Sequence, residues 1–464
     1  MSKITLIGGG GVRTPLLVYG LNEAADTIGV TDLVLYDPDE KRSSLMLALS
    51  NAVVRKHGGR LKISASGQFD RAVADSSFVI NSVRVGGMAG RANDERIVLQ
   101  HGLAGQGTTG PGGLAMALRT IPVCLQYAKS IERLAPSAWF INFTNPAGII
   151  TQALTTQTRV QSVGICDTPR ELFHRVAHAV GGSAESVDCD YLGLNHLGWI
   201  RAVRRQGEDV TAELLASDQK LKSLYSAELF DPELIRGLGL IPTEYLYFYY
   251  SQRLAVANQT KAGTTRGQEV VSLTTDLFRD LQRELDTGHD ERAIELYTRY
   301  YRQRMGSYMK LESSAGSLLA AGVEAPDDPF TSATGYHRIA IAVMKALRSE
   351  TPQTLVVNTN NRGAIPELST DDVVEVPCRI SRQGIEPLPV GALPAIVRGL
   401  VHSVKAYERL AVEAAVERSR SKARLALLLY PIVGQWDLSM KVLDALGQSD
   451  PEHLGYLRQE TVSA

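Results

Sequence analysis

The segment VGICDTPREL sets a thiol and a carboxyl, Cys166 and Asp167, between a strand-like run and the start of a helix. Thr168, Pro169 and Glu171 match an N-cap, a first-turn proline and a capping-box acid, and Gly181 and Gly182 stop the helix. A helix N-terminus lowers a thiol pKa, and a thiolate binds a divalent metal or attacks an electrophile. Thirty residues on, DYLGLNHLGWI puts Asn195 and His196 in a strand-like run with glycine kinks on each side. Histidine is a common ligand of divalent transition metals. Cys166 and His196 stand too far apart for a zinc-finger code, and two ligands make a poor structural zinc site. Two ligands do leave coordination positions open for a substrate, which suits catalysis. FINFTNPAG adds Asn142 and Asn145 at another strand end, where Asn-Pro reads as a turn. These asparagines either shape that loop or hydrogen-bond a substrate's hydroxyls.

Such side chains need a frame, and the first 200 residues supply one by alternating strand-like and helix-like segments. KITLIG and DLVLYD read as strands, TPLLVYGLNEAA and EKRSSLMLALSNAVVRKHG as helices, and SFVINSVRVG, AWFINFT and VQSVGIC as further strands. The pattern predicts an α/β fold: an N-terminal Rossmann-like, doubly wound parallel sheet. Between the first strand and helix lies ITLIGGGGVRTP, in which G-x-G-x-x-G fits neither register, because Arg13 or Thr14 falls on the third position. Gly8, Gly9, Gly10 and Gly11 can still form the turn that brings backbone N–H groups to a pyrophosphate, with Val12 and Arg13 beside it. Arg13 either grips that charge or caps the loop. Asp37 closes the second strand, placed to bind the adenosine ribose hydroxyls of NAD and to disfavour the extra phosphate of NADP.

After about residue 200 helices outweigh strands, with TLVVNT and VVEVPCRI as strands near 354–380 and a helical run close to 40 residues long from VGALPAIVRGL onward. The reading is two intimately packed domains: 1–195 for NAD, and 196–464, a largely helical α+β region, for substrate, metal and oligomerisation. Lysine plus arginine total 49 against 50 acidic residues, so no basic track points to nucleic acid and no polybasic run to a membrane surface. The N-terminal apolar stretch is too short for a signal peptide, which makes a cytoplasmic location the expectation. Cysteines 124, 166, 189 and 378 form no C-x-x-C pair, and core filling is the plain role for most of them.

Taken in order, GGGGVRTPLL, VGGMAGRANDERI, GQGTTGPGG, INFTNPAG, GICDTPREL, LGLNHLGW, EYLYFYY and NTNNRGAIPEL resemble glycoside hydrolase family 4, the NAD-dependent glycosidases, and most of all its 6-phospho-β-glucosidases. The resemblance runs from Lys3 to about Val442. It implies a redox route, an exception to hydrolysis by paired carboxylates. NAD⁺ takes hydride from the sugar C3, a base removes the acidified C2 proton, a divalent metal, usually Mn²⁺, steadies the enediolate, and the C1–O bond breaks by elimination. Water then adds and the hydride returns. On this resemblance Cys166 and His196 match the metal ligands and Tyr245 the C2 base. Arg91 matches a basic residue near the substrate phosphate, and Asn145 and Asn195 fall near the sugar. Tyr245 has a plain alternative as a stacked aromatic, and Arg91 one as a surface salt bridge with Asp94 or Glu95. The resemblance also implies a homodimer or homotetramer.

Three positions and one segment depart from the family pattern. Asp167 stands where β-type enzymes carry asparagine and α-type enzymes an aspartate proposed as leaving-group acid; here it acts as that acid or only caps the helix. Gly107 replaces the glutamate of GQET, Arg13 replaces a smaller polar residue, and FTSATGYHRIAIAVM replaces a GGxxYSE-like segment. The expected activity is hydrolysis of 6-phospho-glucosides, β-linked first, with α-linked or unphosphorylated glycosides as alternatives. A 2-hydroxy-acid dehydrogenase is the reading from the glycine turn alone.

Overall fold

A computed structural model describes residues 2–225, 228–314 and 328–458. Its strands are β1 (Ser2–Ile7), β2 (Val30–Tyr36), β3 (Lys62–Ser66), β4 (Ser76–Asn81), β5 (Trp139–Asn142), β6 (Gln161–Gly164), β7 (Val187–Leu194), β8 (Leu197–Arg205), β9 (Gln353–Asn360), β10 (Val373–Ser381) and β11 (Gly384–Pro387), apart from two-residue bridges. Nine of them form one sheet in the order β11-β10-β9-β6-β5-β4-β1-β2-β3. From β6 to β3 the pairs are parallel, the doubly wound dinucleotide order, with its reversal between β1 and β4. Crossovers leave that point in opposite directions, so a crevice opens at the strands' carboxyl ends.

The helices that matter for this crevice are α1 (Thr14–Glu23), α2 (Glu40–His57), α3 (Gly87–Gln100), α4 (Gly110–Leu134), α5 (Ala147–Gln157), α6 (Thr168–Ala179), α7 (Arg266–Asp286), α8 (Asp290–Gly306), α9 (Tyr336–Arg348), α10 (Ala395–Glu417) and α11 (Arg420–Leu429). Leu273, Leu277, Ile294 and Tyr297 of α7 and α8 share a small core with Leu16 of α1 and Leu45, Leu49 and Val53 of α2. The Tyr297 hydroxyl donates to the Val12 carbonyl at 2.7 Å. That contact pins the helical pair over the glycine turn.

The expected division at 195/196 falls inside the turn of the β7–β8 hairpin. Beyond it, β9 returns to pair antiparallel with β6 at Asn358 and Gly164, so the two halves share one sheet. They also share one core, in which Ile4 and Leu6 belong with Val376, Val401 and Val404. The strand β3 was not expected: KISAS is mostly solvent-facing at the sheet edge and carries little apolar signal. The long C-terminal helical run is two helices. Arg418 adopts φ 51°, and the Ser419 side chain caps α11 by accepting from the Lys422 N–H. Among the described residues, no helix is long and apolar enough to cross a membrane.

The glycine turn depends on a conformation that side chains resist. Gly8 has φ +84°, and a Cβ there would lie 2.7 Å from the Ser82 carbonyl oxygen. Gly8→Ala is expected to cost about 1–3 kcal/mol, the usual strain of a disfavoured backbone region. Chemical denaturation would read it as a lower midpoint with an unchanged m-value.

Candidate active site

A cleft of about 550 Å³ opens at the switch point between the strand ends and the α7–α8 pair. Gly8, Gly10, Gly11, Val12, Arg13 and Asp37 line one part of it, and Arg91, Asn145, Asp167 and Tyr245 another. The fold thus gathers most of the expected site residues, from segments more than 200 positions apart, into one space of ligand size. Asp37 accepts the Gly10 N–H at 2.9 Å, which fixes its carboxylate beside the turn. Gly9 is not on the wall. A Cβ at Gly9 would lie 2.7 Å from Leu35 Cβ, so this glycine serves the close approach of the turn to β2.

Tyr245, buried in the middle of a 3₁₀ turn, lies stacked on the His196 ring with centroids 3.8 Å apart. Burial pushes its phenol up to about 12, against hydrogen bonds from Tyr308 and Thr108 that favour the phenolate. His196 sits in the two-residue turn between β7 and β8, not within a strand, at φ 61°. It is 3% exposed, and its Nε2 has no hydrogen-bond partner. Burial lowers its pKa to about 3, so the imidazole is neutral at working pH, the form that ligates metal. Cys166, 4% exposed, lies where its charge would be felt by Tyr245. A soft sulfur and an orphaned imidazole nitrogen, both beside Tyr245, fit a divalent transition metal. Neither side chain is on the cleft wall, and no set of three or more His, Cys, Asp or Glu residues among the described ones makes a metal cage.

The helix terminus does not deliver a thiolate by itself. Burial comes first, and the facing carboxyls of Glu375 and Asp167 add to it, so the Cys166 thiol is pushed well up despite hydrogen bonds from Thr168. A cation arriving at the sulfur must displace that proton. The capping box is absent too. Asp167 is the N-cap residue of α6 but its side chain makes no cap bond, while the Thr168 hydroxyl donates to Glu244 at 3.2 Å. The Asp167 carboxyl instead faces Arg13 and accepts from Tyr336, with burial holding it at about 6. Arg13 lies over the Tyr336 ring at 3.5 Å and faces Asp167, Tyr301 and Tyr245. It therefore points from the glycine turn toward the reacting end of the cleft, and its side chain caps nothing on α1.

Arg91 does pair with Glu95, at 2.7 Å, but the pair is buried in the cleft wall and not on the surface. Asp94 is engaged elsewhere, by Arg119 at 2.7 Å. Around Arg91 the cleft collects Arg84, Arg266 and Arg304. Burial and then the charges of Arg91, Arg13 and Arg304 push Arg84 down to about 9. Burial, with Arg91 and Arg304, lowers Arg266 as well. Of the two nearby carboxylates, Glu95 is held by Arg91 and by the Gly267 N–H at 2.6 Å. Glu312 faces Arg266 from a fully buried position. Crowded guanidiniums of this kind bind a compact dianion such as a phosphate.

The Family 4 glycosyl hydrolase model matches residues 3–181, and the Family 4 glycosyl hydrolase C-terminal domain model matches residues 191–433. A Bacillus subtilis (strain 168) protein, "Probable 6-phospho-beta-glucosidase", is 32% identical, the match covering 98% of this chain and 97% of that one. The chain belongs to glycosyl hydrolase family 4. The 6-phospho-beta glucosidase of Thermotoga maritima, solved with manganese, NAD+ and glucose-6-phosphate, superposes with TM-score 0.80 at 28% identity, covering 98% and 99% of the two chains. A 6-phospho-alpha-glucosidase from gut microorganisms, solved with NAD and glucose-6-phosphate, superposes with TM-score 0.78 at 26% identity, covering 97% and 98%.

In this family 4 chain Asn195, expected near the sugar, is held by the scaffold, and Asn142 takes the loop-shaping alternative. Asn195 is not on the cleft wall: its Oδ1 accepts from Gly148 N–H at 3.3 Å and its Nδ2 donates to Glu375 at 3.0 Å. Glu375 also accepts from Tyr191 at 2.7 Å and Asn358 at 2.9 Å, so it ties the His196 turn to β9 and β10. Asn142 is consumed in the same way, by Asn81 at 2.9 Å and Thr144 at 3.1 Å. Sequence reasoning did not find Arg84, Arg266, Arg304, Tyr308 or Tyr336. Only Arg84 carried a local signal, as a cation directly after β4 at the switch point. The family 4 departure at Gly107 has a steric reading: a Cβ there would lie 3.0 Å from Arg91 Nε and 2.9 Å from Glu95 Oε1. Glycine leaves that pair its seat.

Proposed function

We propose that this chain is an NAD- and divalent-metal-dependent glycosidase that cleaves 6-phospho-glucosides, β-linked ones first. One observation carries the reading: a cluster of four arginines shares its cleft with Tyr245 and the glycine turn. Gly8, Gly10, Gly11, Val12 and Asp37 would hold the dinucleotide, and Cys166 and His196 the divalent ion, with Mn²⁺ as the first candidate. When bound, these groups supply a hydride acceptor for the sugar C3 and a Lewis acid for its hydroxyl oxygens. Arg91 and Arg84 orient the sugar by its 6-phosphate, and Asn145 hydrogen-bonds a hydroxyl. The Tyr245 phenolic oxygen takes the C2 proton as the phenolate, a form that hydrogen bonds from Tyr308 and Thr108 and the facing Arg13 favour and burial opposes. Asp167, facing Arg13 and accepting from Tyr336, stands in the cleft with Tyr245, where α-type enzymes of the family place an acid. An α-linked substrate is therefore the second reading.

Incubation with p-nitrophenyl β-glucoside 6-phosphate, NAD⁺ and Mn²⁺ under reducing conditions tests the proposal. Release of nitrophenol that needs both additions, with little net NADH, is expected. Release from the unphosphorylated or the α-linked analogue alone would overturn the substrate assignment. NADH formed stoichiometrically with a 2-hydroxy acid would mark a dehydrogenase.

The phosphate assignment has its own test. Among the described residues no carboxylate lies in hydrogen-bond reach of Arg84, which donates to Met116 Sδ at 3.7 Å, so Arg84→Met orphans no acid there. A hydrogen bond to a charged group is worth about 1.5–3 kcal/mol, so kcat/KM on the phosphorylated glycoside is expected to fall about 10- to 100-fold. NAD⁺ affinity, read by fluorescence titration, should hold.

A further inference from the structure

The cleft holds two carboxyls that the reaction above does not use, and of these Glu244 already accepts the Thr168 hydroxyl at 3.2 Å. Glu171, in the first turn of α6, lines the cleft with Asp167, Glu244 and Tyr245. Its side chain is 16% exposed, and its one ion-pair partner, Arg175, stands 3.7 Å away. No hydrogen bond from a described residue reaches its carboxyl. The groups facing it are Asp167 from the α6 N-terminus, Glu244 from the 3₁₀ turn that bears Tyr245, Arg175 from its own helix and Tyr301 from α8.

We propose that Glu171 is the acid that protonates the leaving-group oxygen and then the base that takes a proton from the incoming water. This deepens the glycosidase reading and rests on it. Two neighbouring carboxyls divide the labour by environment. Asp167 faces the Arg13 guanidinium and accepts from Tyr336, the surroundings of a carboxylate. Glu171 lies among like charges, Asp167 and Glu244, with only the long 3.7 Å contact to Arg175 against them and no hydrogen bond from a described residue, the surroundings of a neutral acid. Burial, followed by Asp167 and Glu244, pushes it up to about 8, so it carries its proton at neutral pH.

The step balances without a further reactant. After C2 deprotonation, the carbanion pair forms the C1=C2 bond and the C1–O pair leaves with the aglycone oxygen. The Glu171 O–H bond breaks as that oxygen gains its proton. In the return step the carboxylate takes a proton from water while the water oxygen bonds to C1, and C2 is reprotonated from Tyr245. Glu171 ends as it began.

Leaving groups that need no proton separate this role from a structural one. Methyl and 2,4-dinitrophenyl 6-phospho-β-glucosides are compared for the wild type, Glu171→Gln and Asp167→Asn, with NAD⁺ and Mn²⁺ present. Glu171→Gln is expected to lose about 100-fold or more in kcat/KM on the methyl glycoside, the usual worth of general acid catalysis, and about 3-fold or less on the dinitrophenyl one. C2–deuterium exchange by that variant should match the wild type. If the variant does not fold, the wild type alone decides. Its methyl-glycoside rate should fall above about pH 8 as the acid ionises, and its dinitrophenyl rate should not. Equal losses on both glycosides, no loss, a missing alkaline limb, or the leaving-group dependence appearing in Asp167→Asn would each overturn the role of Glu171. A wild type that turns over neither glycoside would instead overturn the glycosidase reading beneath it.

Discussion

Cys166→Ser is expected to lower turnover by about 1,000-fold or more while leaving the fold and NAD⁺ binding near wild type. A Lewis acid at the proposed site would supply several kcal/mol of charge stabilisation in the transition state, and each 1.36 kcal/mol is about a factor of ten. Serine keeps the size of the buried side chain but replaces a soft sulfur donor with a hydroxyl that stays protonated. His196→Ala should match it, because the partnerless Nε2 is the other donor in the proposed site. Both variants should lose Mn²⁺ binding measured by calorimetry or by electron paramagnetic resonance of the free ion. NAD⁺ binding, carried by the glycine turn at the other part of the cleft, is the internal control. A Cys166→Ser enzyme that turns over without added metal would remove Cys166 from the mechanism.

Tyr245→Phe is the second large effect. Loss of a positioned base costs about 100- to 10,000-fold, so the exchange of the C2 hydrogen with solvent deuterium should slow by that factor. The phenylalanine ring can still stack on His196, so metal affinity should change little. Tyr245 is buried, and its phenol sits at about 12 with burial as the first cause. The substitution removes only the oxygen that Tyr308 and Thr108 hydrogen-bond. Unchanged exchange would return Tyr245 to the role of a packed aromatic, which is what Tyr247 does here: it is fully buried, and its hydroxyl is spent on the Glu312 carbonyl at 3.0 Å.

Arg13 shows how a local misfit is resolved by distant chain. From the glycine turn its side chain had two tasks open, gripping a pyrophosphate or capping the loop, and it makes no cap bond. Tyr336, from a segment that departs from the family pattern, provides the ring on which the guanidinium lies, and Asp167 provides the charge it faces. The residues that break the family pattern at 13, 167 and 336 thus meet in one cluster. Sequence order keeps them more than 150 positions apart, so no window of the sequence could have joined them.

The sequence by itself determined the elements whose physics is local. Apolar runs ending in glycine predict β1 and its turn, and Asp37 follows from its place at the end of β2. Thr14–Pro15 and Thr168–Pro169 mark helix starts, because a proline in the first turn gives up no hydrogen bond. The ordered motifs carried the family. Tertiary structure alone decided the rest. Whether Cys166 is a thiol or a thiolate depends on burial and on Glu375, more than 200 residues away, and these outweigh the helix terminus. Whether Asn195 reaches a sugar depends on Gly148 and Glu375, which occupy its amide. The arginine cluster assembles from α3, α7, α8 and the loop after β4, and its meaning lies in crowding of like charge. Charge crowding, desolvation and hydrogen-bond competition depend on distance in space, and only the folded chain sets that distance.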